Sequence, residues 1–321
     1  MSKQKLIIDT DPGIDDAMAI HYAFAHDALD LIGLTTIFGN VFVEQATRNA
    51  LWLTDQAGRA IPVSEGAATP ITITPNAPSH YVHGDEGFGD MPAMRPTRSA
   101  DPRPAHIFLA DTIRAYPGEV ILCPIGPLTN IARLLDHDPA IAALVKKVVI
   151  MGGAVDCPGN VTAFAEANIW NDPHAADSVF AAPWDMELIG LDVTSQISCD
   201  ADDFSSIARE APDIGGFLEQ ISLFYIGFYH SIIGRHVCLM HDPSAVISIT
   251  DETAFEYENI PLEVICSGDR IGATIRSQQK RRPVKVAKAV DAMTVREIFL
   301  DICKQSDKIK KQSDKRQPGH A

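Results

Sequence analysis

No two of the six cysteines stand in a CxxC pair; Cys123, Cys157, Cys199, Cys238, Cys266 and Cys303 are scattered along the chain. Their spacing argues against a thiolate metal centre or a disulfide framework and predicts buried free thiols in a reducing compartment. Basic residues are scarce too: 27 Lys and Arg face 42 Asp and Glu, a formal net charge of -15. So negative a chain is a poor partner for a nucleic-acid backbone or an anionic membrane and suits a neutral or cationic ligand. No apolar run is long enough to cross a bilayer, and no apolar leader precedes the first strand, so the expected location is the cytoplasm. The remainder is ordinary for a globular protein: 46% of 321 residues are hydrophobic, enough for one large α/β domain or two small ones.

One stretch stands out against that background, Asp9-Thr10-Asp11-Pro12-Gly13-Ile14-Asp15-Asp16. It follows Lys5-Leu6-Ile7-Ile8, an apolar run that reads as a buried parallel strand, and precedes Ala17 to Phe24, which reads as a helix. Its carboxylates gather where a strand ends and a helix begins, the place where open α/β sheets bind ligands. Asp15 and Asp16 also suit a helix N-terminus, whose free N–H groups and dipole favour acids. Four anions exceed what capping needs. Their repulsion points to a hard divalent cation with oxygen ligands, Ca²⁺ or Mg²⁺.

Strand and helix patterns alternate through the next part of the chain. Strands are expected at Asp30 to Phe38, around Ile61 to Val63, and at Glu119 to Cys123, Val145 to Ile150 and Met186 to Leu191. Helices at Val43 to Ala57, Ala105 to Tyr116, through Leu135, and from Asp172 to Phe180 separate them, which predicts a mostly parallel central sheet flanked by helices. Gly66 to Pro104 has no sustained period; within it His80 to Gly89 carries glycines that could hinge a lid. Ile214 to Ile233 reads as a long helix, with Tyr225 and Tyr229 on one face, either in the core or lining a pocket. His241-Asp242-Pro243 opens another helix, and runs around Phe255 to Cys266, Gly272 to Ser277 and Pro283 to Val290 predict additional antiparallel strands near the C-terminus. A closing helix ends at Cys303, so one domain spans 1–303 and a polar, disordered tail spans 304–321.

Taken in order, Asp9 to Ala17, Gly39-Asn40, Gly126-Pro127-Leu128-Thr129-Asn130, Met151-Gly152-Gly153, Glu166-Ala167-Asn168 and His241-Asp242-Pro243 resemble the motifs of nucleoside hydrolases of the inosine-uridine-preferring type. The resemblance covers nearly everything before the tail. It implies a nucleoside-hydrolase-like α/β fold, Ca²⁺ deep in a crevice, a homotetramer or homodimer, and a place in ribonucleoside catabolism and purine or pyrimidine salvage. Asp11, Asp16, Asp242 and the backbone carbonyl of Ile125 match the metal ligands of the family. Asp15, Asn40, Glu166 and Asn168 match positions that hold ribose hydroxyls, with Met151 packed beside the sugar and Asn160 near it. His83, Tyr229 and His241 match positions around the nucleobase. Ala167 departs from the bulkier residue of some relatives, which leaves purine against pyrimidine open.

Hydrolysis of an N-glycosidic bond needs a nucleophile, support for an oxocarbenium-like ribose, and a way for the base to leave. Asp11 is the expected general base on a metal-bound water, and His241 the expected acid for the base, with a proton available near neutral pH. A structural cap is the other reading of His241. Two rival functions share some of these features. A haloacid-dehalogenase-like phosphatase also carries DxD after its first strand, but here Pro12-Gly13 and a second acidic pair replace its pattern. A nucleoside-binding or sensing protein without turnover would keep the pocket, yet would not need Asp11, Asp16, Asp242 and His241 together.

Overall fold

The computed structural model describes residues 3–308 and 310. Its first strand, β1 (Gln4–Thr10), carries Leu6, Ile7 and Ile8, all fully buried. Alternate side chains of a strand point to opposite faces, so Leu6 and Ile8 enter one core layer and Ile7 the other. Ile121 and Leu122, and Val149 and Ile150, divide in the same way. Strands covered on both faces therefore read as unbroken apolar runs.

After β1 come α1 (Ile14–Ala25), β2 (Leu29–Thr36), α2 (Val43–Gln56) and β3 (Val63–Glu65). An excursion that includes the one-turn helix α3 (His80–His83) leads to α4 (Ala105–Ala115), β4 (Val120–Pro124), α5 (Thr129–His137) and β5 (Lys147–Met151). Next are α6 (Ala167–Asn171), α7 (Pro173–Ala181), β6 (Met186–Ile189), the one-turn α8 (Leu191–Thr194), β7 (Ser198–Cys199), α9 (Ala201–Glu210) and the long α10 (Ile214–Ile233). The chain continues through β8 (Cys238–Leu239), α11 (His241–Thr250), β9 (Phe255–Ile260), β10 (Leu262–Val264), β11 (Thr274–Arg276), β12 (Val284–Val290) and α12 (Ala292–Cys303).

Eight strands form one sheet in the order β3-β2-β1-β4-β5-β6-β12-β9, parallel throughout except between β12 and β9. The antiparallel strands expected near the C-terminus are present as β9 and as the separate β10–β11 pair, while β12 joins β6 as a parallel member of the main sheet. Winding runs outward from β1 in both directions, so the crevice between β1 and β4 is the point where it reverses. The acidic stretch leaves β1 at that point. α1, which follows it, is buried almost all round and packs against α10 and α11, so its alanine-rich sequence has no polar face.

Two segments differ from their sequence readings. Gly84, Gly87 and Gly89 have φ of 78°, 91° and 63°. A Cβ on Gly87 would stand 2.8 Å from the Pro12 carbonyl, so this glycine serves close packing against the acidic loop, where a hinge was expected. Past Cys303, the expected start of a disordered tail, Ser306 and Asp307 are buried. Asp307 accepts hydrogen bonds from the N–H groups of Asp213 (2.9 Å) and Ile214 (3.0 Å), because the start of α10 has no side-chain cap of its own. Residues 309 and 311–321 of that tail lie outside the described residues. Among the described residues no helix is long and apolar enough to cross a membrane.

Candidate active site

A cavity of about 540 Å³ opens above the ends of β1 and β4. Asp16, in the first turn of α1, points back under its floor. Its carboxylate accepts from Thr10 Oγ1 (2.5 Å), from the N–H groups of Asp11 (3.2 Å) and Gly13 (3.0 Å), and from Asn40 Nδ2 (3.0 Å). Asp11 accepts the Asn40 N–H on Oδ2 (2.6 Å), while its Oδ1 is buried without a partner. Asp15 accepts the Tyr225 hydroxyl on Oδ2 (3.1 Å), and its Oδ1 is likewise unpartnered.

Carboxylate oxygens of Asp15, Asp16 and Asp242 lie within 4.8 Å of one another. Burial, and then repulsion between neighbours, holds Asp11 and Asp242 well above the usual carboxylate range and pushes Asp15 up to about 8. Burial raises Asp16 as well, against four donors that lower it. Buried anions with orphaned oxygens form a donor set for a hard divalent cation. Asp15, which the resemblance gave to ribose, belongs to this tight group, and Asp11 lies outside it. The Ile125 carbonyl, matched to the metal, accepts Asn168 Nδ2 at 2.8 Å and keeps a second lone pair.

The wall that the resemblance gave to ribose is built around the start of α6. Glu166 caps it, accepting from the N–H groups of Gly153 (2.9 Å), Asn168 (2.9 Å) and Ile169 (3.1 Å). Burial raises the Glu166 carboxyl pKa in opposition to those donors. Asn168 donates its amide to the carbonyls of Ile125 and Met151 (3.2 Å), which leaves Oδ1 free to accept a hydroxyl. Asn40, Met151 and Asn160 also line the cavity; Asn160 sits exposed at the rim, where its Oδ1 accepts the Ala167 N–H at 3.0 Å.

On the opposite wall a hydrogen-bonded chain links five side chains. Tyr225 O–H donates to Asp15; Tyr225 and Tyr229 oxygens are 3.3 Å apart; Tyr229 oxygen is 2.9 Å from His241 Nε2; and His241 Nδ1 is 2.8 Å from Thr194 Oγ1. Each hydroxyl has one proton. With Asp15 ionised, Tyr229 therefore donates to Tyr225, His241 Nε2–H to Tyr229, and Thr194 to Nδ1. Burial lowers the His241 pKa to about 4. Where a proton ready on this ring at neutral pH was expected, burial favours a neutral ring whose one N–H goes to Tyr229. His83 is buried between α1 and Tyr225, whose ring centroid is 5.5 Å away.

The cavity accordingly gathers the expected residues, with Asp11 and Asp16 beneath it. Sequence reasoning passed over Thr10 and Thr194 and left Tyr225 undecided. Tyr225 had a signal, its four-residue spacing from Tyr229; Thr194 sits on a one-turn helix with no periodicity to read. The mouth is apolar: Tyr81, Val161, Ile232 and Ile233 line it although 68%, 36%, 65% and 43% exposed.

Known proteins match nearly the whole chain. The inosine-uridine preferring nucleoside hydrolase family matches residues 6–297. Uridine nucleosidase 1 of Arabidopsis thaliana is 37% identical over 306 residues, 92% of this chain and 91% of that one. The inosine-uridine preferring nucleoside hydrolase of Leishmania major is 35% identical over 276 residues, 83% and 84% of the two chains. Among solved structures, the purine-preferring ribonucleoside hydrolase from Gardnerella vaginalis has a TM-score of 0.91 at 35% identity, covering 95% of this chain and 100% of that one. A plant nucleoside hydrolase has a TM-score of 0.88 at 34% identity, covering 94% and 99%. Because the match runs from the acidic strand end through the His241 helix, the chain belongs to the inosine-uridine preferring nucleoside hydrolase family, hydrolases of N-glycosyl bonds.

Proposed function

We propose that the protein is a Ca²⁺-dependent ribonucleoside hydrolase that releases ribose and free nucleobase, acting in the cytoplasm as a homotetramer or homodimer. The observation that carries this reading is the meeting, in one cavity, of the Asp15–Asp16–Asp242 cluster with the chain ending in His241. When bound, the cation supplies a water of lowered pKa and places for the two cis hydroxyls of ribose. Asp11, Asp16, Asp242 and the Ile125 carbonyl would hold it, with Asp15 alongside.

Asp11 is the base. The Asn40 N–H fixes one of its oxygens, and the other is buried with no donor, so the carboxylate is oriented and has a site for a proton. Asp15 Oδ1 and Asn168 Oδ1 accept ribose hydroxyls, and Glu166 and Asn40 shape the same wall. A 2′-deoxyribose would leave an acceptor unpaired, which selects for ribose. His241 can offer the departing base its neutral Nε2–H only by giving up the hydrogen bond to Tyr229, and full transfer requires the ring to take up a second proton.

Incubation with inosine, uridine, cytidine and adenosine, followed by a reducing-sugar assay for ribose, tests the proposal and ranks the bases. Asp11→Asn is expected to lower turnover at least about a hundredfold. Chelation is expected to abolish it and Ca²⁺ to restore it. No ribose from any nucleoside, with Ca²⁺ present and the protein folded, would leave nucleoside binding without turnover as the reading.

A further inference from the structure

We propose that Asp192, which does not itself line the cavity, is a positioning residue for two of its walls. It ties the loop that leads to Asn160 and Glu166 to the turn that carries Thr194. Its effect on turnover rests on the hydrolase reading above.

The need for such a tie comes from the two segments themselves. α8 is four residues long, too short to hold its shape in water, so contacts from outside must fix it. Residues 152–166, between β5 and α6, contain no helix or named strand and one isolated bridge, from Ala165 to Ala273. Both segments nevertheless hold polar atoms in defined places. Thr194 Oγ1 is 2.8 Å from His241 Nδ1, and Asn160 Oδ1 accepts the Ala167 N–H at 3.0 Å, next to Glu166.

Asp192 joins them. Its side chain is 4% exposed, and its oxygens each accept an N–H from consecutive loop residues, Val155 on Oδ2 (2.9 Å) and Asp156 on Oδ1 (3.0 Å). Two bonds to adjacent amides fix direction as well as distance, which one bond does not. Lys288 of β12 pairs with the same carboxylate and with Asp156 (2.8 Å), so the buried charge has a partner. An acid in the first turn of a helix would ordinarily serve that helix's own N–H groups. Here both oxygens face the loop, and α8 has no side-chain cap. The return contact runs from the Leu191 N–H to the Gly153 carbonyl (2.9 Å), while the Gly153 N–H goes to Glu166 (2.9 Å). Gly190 is pressed against this junction: a Cβ there would stand 2.7 Å from the Gly153 carbonyl oxygen. Glu166, Gly153, the α8 turn and Thr194 therefore make one path from the wall around α6 to the His241 ring, and Asp192 is its clamp.

Asp192→Asn keeps the shape, sets an NH₂ against a backbone N–H and drops the charge that Lys288 partners. On inosine it is expected to lower kcat about tenfold and to raise KM severalfold. On 4-nitrophenyl riboside, whose leaving group needs no proton, KM should rise in the same way while kcat holds. A merely destabilised protein would lose kcat equally on both substrates. Adding Thr194→Val to Asp192→Asn should cost less than about a further twofold on inosine, because both act through His241. Nitrogen NMR of the histidine-labelled, cation-free protein gives a reading independent of activity. The His241 resonances, identified by their loss in His241→Phe, should move in Asp192→Asn in the direction they take in Thr194→Val. If Asp192→Asn does not fold, Asp192→Ser, whose hydroxyl can accept one N–H, takes its place in the same measurements. An unchanged KM, equal kcat losses on the two substrates, an additive pair of substitutions, or unmoved His241 resonances would each overturn the proposal. If the wild type hydrolyses no nucleoside, the hydrolase reading fails while the resonance comparison still decides whether Asp192 positions His241.

Discussion

Asp15 and Asp16 are adjacent in sequence and divide the available donors unevenly. Asp16, a proposed cation ligand, is also fixed by donors from Thr10, Asp11, Gly13 and Asn40, whereas Asp15 keeps an oxygen free beside other anions. Their amide variants should therefore move stability in opposite directions. In the cation-free protein, Asp16→Asn places an NH₂ among donors and should cost about 1–3 kcal/mol. Asp15→Asn removes repulsion and should raise the melting temperature; equal losses in chelated melts would refute the division. Thr194 is the other informative residue. As the donor that fixes His241 Nδ1, it should lose about tenfold in inosine turnover as Thr194→Val, with little change in KM and recovery as Thr194→Ser. An aryl riboside whose leaving group departs unprotonated should be insensitive to the substitution. The acidic motif was legible because crowded charge is visible in any order of reading; Thr194 was not, because its partner is 47 residues away.

Elements were legible where one kind of period ran long enough. The apolar spacing of Ile214 to Ile233 marks both ends of α10, and the unbroken runs of β1 and β5 mark a sheet covered on both sides. What period cannot reveal is the partner. The Val284–Val290 run pairs parallel with β6 and antiparallel with β9, and nothing in its own residues states either. Nor does polarity reveal docking: Asp307 stands in a Lys- and Gln-rich segment, yet its carboxylate is buried at the start of the helix that carries Tyr225 and Tyr229. Asp307→Ala should lower stability by about 1–2 kcal/mol in denaturant melts, as lost caps do. No change would mean that water satisfies those N–H groups equally well.

At the scale of the molecule, the buried carboxylates set how stability answers to pH. Asp9 and Asp15 are raised from 3.8 to about 7 and about 8 by burial, with Asp16 adding to Asp15. Folded values above unfolded ones give stability that is full below about 3.8 and is lost as pH rises through 7 to 8. His21, His83 and His241 are lowered from 6.5 by burial, so their contribution is present above 6.5 and is lost as pH falls. Between about 6.5 and 8 the carboxylates alone supply the slope. The chelated protein should melt at falling temperature across that window, and Ca²⁺, taking the place of the protons, should widen its stabilisation as pH rises. A constant gap between the two melting curves would count against a cation at this cluster.

The apolar mouth has a thermal consequence. Under the hydrolase reading proposed above, a base reaching the rim would cover Tyr81, Val161, Ile232 and Ile233, and removal of apolar surface from water lowers heat capacity. Calorimetry on the Asp11→Asn protein should therefore show nucleoside binding growing more exothermic with temperature. Free ribose, lacking a base to reach the rim, should show a shallower slope. Replacing Ile232 and Ile233 by Ser should flatten the nucleoside slope toward that of the sugar. The two ends of the nucleoside would then be held by forces with different temperature dependence, the sugar by fixed polar groups and the base by displaced water.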